Sequence, residues 1–282
     1  MSENAMRLTA IFVCVSLCLM LSSRIAQSGD GSIERYVRYE FQGQAHYGVL
    51  TGQVITRLEK GLFPLSELSN DTVALKDVLL LPPSEPEKVF AVGMNFASHM
   101  SSSADAPPPL FLKLPSSLIG HDQNVFVPDD ATNVHFEGEL VVVIGKEAKN
   151  ISEGKAGEYI FGITAGNDLT ERSWQGRDLQ WMRSKASDGF GPVGPVLVTG
   201  LDWNNLLLTT RLNGKIVQQE KTENMIHKPA KVVSYLSHYF TLKPGDMIFM
   251  GTPGRTSAVV SGDEISVEIE GVGLLRNKIK WP

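Results

Sequence analysis

At 282 residues, 42% apolar and 20% charged, the chain is long enough for one large domain or two modest ones with a sizeable core. A formal net charge of −5 with no basic block excludes nucleic acid as an expected partner. The two cysteines, Cys14 and Cys18, both fall in the N-terminal segment, so a chain cleaved beyond them has neither a disulfide nor a thiolate nucleophile.

That segment has the layout of a secretory signal peptide over residues 1–28. Arg7 precedes an uncharged apolar run from Leu8 to Leu21, and Ala26-Gln27-Ser28 follows as a small-residue cleavage pattern. The run is short for a membrane span, and an uncleaved N-terminal anchor is the alternative. Bulky Leu17 argues against a lipoprotein site at Cys18. Export to the periplasm or the medium is therefore expected, and removal of Glu3, Arg7 and Arg24 makes the formal charge −6. No later apolar run is long enough to span a bilayer.

Residues 33–85 carry short alternating stretches, Tyr36–Phe41 and Tyr47–Leu50, that predict a small antiparallel meander closing at Leu79-Leu80-Leu81-Pro82-Pro83. Residues 86–282 read as a second, strand-rich part. Strands are predicted at Val89–Val92, Val125–Pro128, Leu140–Ile144, Phe161–Ala165, Val196–Thr199, Leu206–Leu212, Met247–Met250 and Ile265–Ile269. Asn213-Gly214 marks a two-residue hairpin. Helical spacing is confined to Ala230–Tyr239, with a short helix expected at Thr170–Gln175. The fold class is mainly β (α+β). Ser101 to Pro109 reads as a flexible loop. No dinucleotide fingerprint, P-loop, nucleophile elbow or zinc-protease motif is present.

The chemistry begins at Glu137-Gly-Glu139. Alternate residues of a strand share a face, so these carboxylates point the same way, and Asp168 ends a neighbouring apolar run where it can join them. Three gathered carboxylates repel one another unless a cation neutralises them. An all-oxygen set suits a hard divalent ion, Mg²⁺ or Mn²⁺ before Ca²⁺, better than zinc. The spacing alone leaves open that both glutamates merely line the solvent face of a half-buried strand.

Gly93–His99, Phe111–Gly120, Phe136–Gly145, Asn167–Arg172, Ser184–Asp188, Gly194-Pro195, Asn213-Gly214, Thr222–Ile226, Leu242–Asp246, Gly251-Thr252-Pro253 and Ile269–Gly273 stand in one order and spacing. In these the chain resembles the fumarylacetoacetate hydrolase family from about Tyr36 to its end. The resemblance implies a mixed β-sandwich roll with a small N-terminal β region, usually a homodimer. It also implies a Mg²⁺ or Mn²⁺ site, with ligands in the places of Glu137, Glu139 and Asp168. Such a site chelates a 2-oxo or 1,3-dicarbonyl acid and stabilises its enolate, so it serves C–C hydrolysis, decarboxylation or keto–enol isomerisation alike. Hydrolysis is placed first here.

His99 is the candidate general base. Lys185 is the second catalytic candidate, as a cation beside the metal that pairs with a substrate carboxylate or oxyanion. Arg172 and Gln175 share a helical face with Asp168 if the helix starts there, and are candidate substrate contacts. Thr252 offers a hydroxyl and neighbouring backbone donors, with a plain turn as the alternative. Of the other histidines, His46, His227 and His238 are read as surface or turn residues and His121 as inert, while His135, which in an unbroken strand shares the face of Glu137 and Glu139, is either a partner behind the metal ligands or strand filler.

Two departures from the family pattern stand out. Where many members place an acid three residues after the histidine, this chain has Ser102, and Asp105 is the candidate substitute. After Gly251-Thr252-Pro253 it continues Gly254-Arg255-Thr256-Ser257-Ala258, where Arg255 either answers a second negative charge on the substrate or is a surface arginine. The competing class of function is a protein that keeps the metal and binds an acidic ligand without turnover.

Overall fold

The computed structural model describes residues 32–99 and 103–281. The expected signal peptide, Cys14, Cys18 and Ser102 lie outside the described residues. β-Branched and aromatic residues in short runs, closed by Gly, Pro and Asn turns, make the described chain mainly β. In order come β1 (Arg35–Phe41), β2 (Gln44–Thr51), β3 (Val54–Leu58), β4 (Leu68–Ala74), β5 (Val89–Val92), β6 (Leu110–Lys113), β7 (Asn124–Phe126) and β8 (Gly138–Ile144). There follow α1 (Glu153–Ala156), β9 (Ile160–Asn167), α2 (Arg172–Gln175), α3 (Met182–Ala186), β10 (Gly191–Val198), β11 (Leu207–Leu212) and β12 (Lys215–Lys221). The chain closes with α4 (Pro229–Tyr239), β13 (Met247–Phe249), β14 (Glu264–Ile269) and β15 (Gly273–Lys280).

The larger sheet runs β4-β3-β2-β1-β10-β9-β8-β13-β5-β6, antiparallel except where β13 meets β5. The meander β1–β4 is thus continuous with the larger sheet, because β1 pairs with β10. A smaller sheet, β12-β11-β14-β15-β7, packs against it. The hairpin at Asn213-Gly214 forms as expected, with left-handed φ values of 52° and 79° at its two residues.

β8 is buried on both faces. Leu140, Val142 and Ile144 join the core shared with Leu208, Val267, Ile269 and the apolar face of α4. Val141 and Val143 face the other cluster with Ala91, Val193 and Phe249. Gly138 sits where the two sheets touch, since a Cβ there would lie 2.0 Å from Thr210 Oγ1. No helix among the described residues is long and apolar enough to cross a membrane.

The helix expected at Thr170–Gln175 starts later. Thr170 and Glu171 pair with Val134 and His135 as short strands, and α2 begins at Arg172. Glu171 stays extended because its carboxylate accepts the amides of Trp174 at 2.6 Å, Asn133 at 2.8 Å and Thr132 at 3.2 Å. Asp168 therefore lies outside the helix.

Candidate metal centre and active site

Strand pairing brings the three carboxylates together. β8 and β9 are antiparallel with Gly138 opposite Asn167, so Glu137 and Asp168 are the next pair outward, and the Asp168 amide donates to the Glu137 carbonyl at 2.8 Å. Asn167 Oδ1 holds the Glu137 amide at 2.9 Å. Glu137, Glu139 and Asp168 are all buried, and one ligand oxygen from each lies within 4.8 Å of the others. The solvent-face alternative for the two glutamates is thereby excluded.

Three cations surround them. Lys185, in the last turn of α3, donates to Glu137 Oε2 and Asp168 Oδ2, each at 2.6 Å. Lys113, at the end of β6, is wholly buried and donates to Asp168 Oδ1 at 2.7 Å, to the Phe190 carbonyl at 3.1 Å and to the Lys185 carbonyl. Arg172 donates to Glu137 Oε1 at 2.5 Å and to Gln175 Oε1 at 2.9 Å. Among the described residues Glu139 accepts only the Gly251 amide, at 2.6 Å, and no cation lies within ion-pair distance.

The electrostatics follow from this uneven pairing. Burial pushes the Glu137 carboxyl up, but Lys185 and Arg172 outweigh it and bring it to about 2. Burial and the charges of Asp168 and Glu137 hold Glu139 well above the usual carboxylate range. The two ammonium groups diverge: burial lowers Lys113, whereas for Lys185 the two facing carboxylates override burial and raise it. Three acceptors surround Lys113 Nζ, and only the ammonium has three N–H groups to satisfy them, so Lys113 is charged despite its burial.

The donor set fits a hard divalent ion. Glu139 forms no ion pair among the described residues, its Oε1 accepts no hydrogen bond from a described residue, and it lines a cavity of about 220 Å³ with Glu137 and Asp168. His99, Arg172, Gln175, Lys185 and Thr252 line the same cavity, walled by Phe111 and Trp181 packed edge to face at 5.4 Å. A larger cavity of about 510 Å³, between Arg35, Lys76, His121 and Pro195, holds none of the carboxylates.

His99 sits on the turn after β5. Its Nδ1 lies 2.6 Å from the Gly254 carbonyl, and its Nε2 is 3.9 Å from Glu137 Oε1. A carbonyl only accepts, so Nδ1 carries a proton, and in the neutral ring Nε2 is then the acceptor that faces the cavity.

Other expectations are altered by the packing. Arg255 is exposed and outside the cavity lining. Asp105 is exposed and forms no ion pair with His99 among the described residues. The Thr252 hydroxyl is already engaged, donating to the Gly138 carbonyl at 2.9 Å and accepting from Gln218 at 2.9 Å, while the Gly251 amide is spent on Glu139. His227 is fully buried, because Asn95 clamps its amide and carbonyl at 2.7 and 3.0 Å. Of the two readings of His135 the packing favours the partner: Nδ1 lies 3.0 Å from Thr256 Oγ1, which also accepts from Arg172 at 3.0 Å. Lys113 was missed as a functional residue. Its only sequence signal is a lysine closing the apolar run Leu110-Phe111-Leu112.

Residues 88–280 match the family description Fumarylacetoacetate (FAA) hydrolase C-terminal. The chain belongs to the fumarylacetoacetate hydrolase family. Residues 34–83 match a second description, Rv2993c-like, N-terminal. A relative in Bos taurus, oxaloacetate tautomerase FAHD2A, mitochondrial, is 34% identical over 258 residues, covering 86% of this chain and 79% of its own. The crystal structure of 5-carboxymethyl-2-hydroxymuconate delta-isomerase from Mycobacterium smegmatis superposes with a TM-score of 0.83 at 35% identity, covering 88% of this chain and all (100%) of that one. Maleylpyruvate hydrolase from Sphingobium sp. SYK-6, solved with manganese(II) and pyruvate, superposes at 0.73 with 25% identity, covering 88% and 99%. Members of this family thus include isomerases, tautomerases and hydrolases, and the buried triad of this chain is the matching candidate for a divalent-metal site.

Proposed function

We propose that this chain is a divalent-metal-dependent enzyme that forms and quenches the enolate of a small 2-oxo or β-diketo acid. The observation that carries the reading is the buried carboxylate triad facing a cavity that His99 lines with its Nε2 turned towards Glu137. Glu137, Glu139 and Asp168 would hold Mg²⁺ or Mn²⁺, which when bound supplies charge stabilisation to a chelated enolate. The protein's own groups do the rest. Lys185 and Arg172 give the cavity the positive charge an acidic substrate requires, and Phe111 and Trp181 limit water. His99 takes a proton from, or returns it to, the substrate carbon through Nε2. At about 220 Å³ the cavity lies below the range of drug-sized sites, which favours a short acid.

Proton transfer, as in enol–keto isomerisation, needs only these groups, and the tautomerase and isomerase relatives support it. Hydrolysis of a C–C bond, placed first from the sequence, is the second reading and is supported by the maleylpyruvate hydrolase likeness. It needs a held water in addition, and Glu137 is the sole carboxylate paired with His99 among the described residues. The discriminating experiment is a turnover screen with added Mn²⁺ or Mg²⁺ on enol oxaloacetate, acylpyruvates and a hydroxydienoate, with Asp168→Ala as control. Isomerisation lost in the control supports the reading. Metal binding without turnover on any of them moves the assignment to a ligand-binding protein.

Export and homodimerisation belong to the same reading. The apolar segment after Arg7 supports the first, tested by cell fractionation and N-terminal sequencing. Family membership supports the second, tested by light scattering.

A further inference from the structure

The orientation of His99 depends on three consecutive hydrogen bonds that all donate in one direction. His99 Nδ1–H donates to the Gly254 carbonyl at 2.6 Å, the Gly254 amide donates to Ser98 Oγ at 3.0 Å, and the Ser98 hydroxyl donates to Glu220 Oε2. Glu220 Oε1 is fixed in turn by Asn224 Nδ2 at 3.1 Å. Ser98 has a single proton; spending it on Glu220 turns a lone pair towards the Gly254 amide. Gly254 sits at φ 62° with open space where a Cβ would project, and this left-handed backbone aims its carbonyl at His99 while its amide faces Ser98.

Glu220 is brought there independently of these bonds. It lies near the end of β12, and the segment just after β12 is joined to the histidine turn by the Phe96–Met225 bridge and by the Ile226 amide donating to the Asn95 carbonyl at 2.9 Å. The Gly254 N–H and C=O belong to different peptide groups, so the coupling is positional: an amide held on Ser98 keeps the Gly254 carbonyl on Nδ1, which favours the Nδ1–H tautomer over the Nε2–H form.

We propose that Glu220, acting through Ser98 and the backbone of Gly254, is the carboxylate that orients His99. Ser98 and Glu220 are positioning residues, not catalytic ones, and the proposal rests on the reading of His99 as the base. It joins the two departures seen in the sequence: the chain lacks an acid three residues beyond His99, and the divergent Gly254 loop carries support from a different strand.

The test is long-range ¹H–¹⁵N correlation on the full chain with labelled histidine, recorded across a pH series that reaches the neutral ring, with His99→Gln for assignment. Wild type should show His99 protonated at Nδ1 alone. Ser98→Ala and Glu220→Gln should each give a tautomer mixture and lower kcat about three- to tenfold with KM within about twofold, and Ser98→Thr should restore both. Glu220→Gln is a surface change that keeps the shape, so it remains informative if Ser98→Ala unfolds. An Nε2–H tautomer in wild type, or an unmoved tautomer and kcat in both variants, overturns the proposal. If wild type turns over none of the substrates while the tautomer shifts in Ser98→Ala, the relay stands and the base role falls.

Discussion

Lys113→Met isolates the one wholly buried cation that faces Asp168 from behind the cavity. The substitution keeps an unbranched side chain of similar reach but removes the charge and all three donors. Asp168 Oδ1 loses a partner at 2.7 Å, and the Phe190 carbonyl loses one at 3.1 Å, together with the Lys185 carbonyl. Removing one member of a buried ion pair costs about 3–5 kcal/mol, because the other charge stays buried. Asp168 keeps Lys185 at 2.6 Å, and the desolvation that Lys113 itself suffers is recovered, which places the effect at the low end. Each orphaned carbonyl adds back about 1 kcal/mol. The expected net loss is about 5 kcal/mol, or a Tm lower by roughly 10–20 °C. Urea unfolding of the metal-free chain measures it as a lower midpoint at unchanged slope. A variant within about 0.5 kcal/mol of wild type would show that Lys113 is not the charged support of Asp168.

Three further outcomes are expected. His227 is buried with neither ring nitrogen partnered among the described residues, and burial, with Lys231 adding, holds it below the usual histidine range. The unfolded chain then binds a proton that the native chain refuses, so stability falls as pH drops below about 6.5, by up to about 1.4 kcal/mol per pH unit; His227→Leu should flatten that slope in denaturant titrations, and an unchanged slope refutes the assignment. Glu139 is held up by burial and two neighbouring carboxylates, so the metal-free chain loses stability as pH rises above the ordinary carboxylate value of 4.5. Glu139→Gln should therefore be more stable than wild type in chelator near pH 7 and should lose the thermal shift that Mn²⁺ gives wild type; a variant that keeps the shift removes Glu139 from the metal set. Gly138→Ala places a methyl 2.0 Å from Thr210 Oγ1, and overpacking of this kind costs about 1–3 kcal/mol. Thr210→Ala removes the colliding atom, and a double-mutant cycle by urea unfolding should show positive coupling; additive effects would place the strain elsewhere.

What was legible in the sequence is what depends on neighbours along the chain. The alternating runs, the Asn213-Gly214 hairpin and the one long helix are local, since backbone preference and side-chain period act over a few residues. Glu137 and Glu139 share a face for the same reason, and Asp168 was added because it ends a second apolar run and stands where the family resemblance has a ligand; the two strands do pair. The helix start failed at Glu171 because its carboxylate takes amides from Thr132 and Asn133, a segment 38 or 39 residues away.

By itself, then, the sequence determined the β-rich class and a three-carboxylate site with a lysine and a histidine near it. Strand order in the two sheets decided the remainder. It placed Lys113 beneath Asp168 across 55 residues and Gly254 beside His99 across 155, left Arg255 outside the cavity, and buried His227. These contacts leave no periodic trace, because a hydrogen bond between distant segments constrains one residue in each and nothing in between. The charge on Glu139, the least paired of the three acids, is likewise a property of the assembled site, where burial and repulsion act together only once the strands have met.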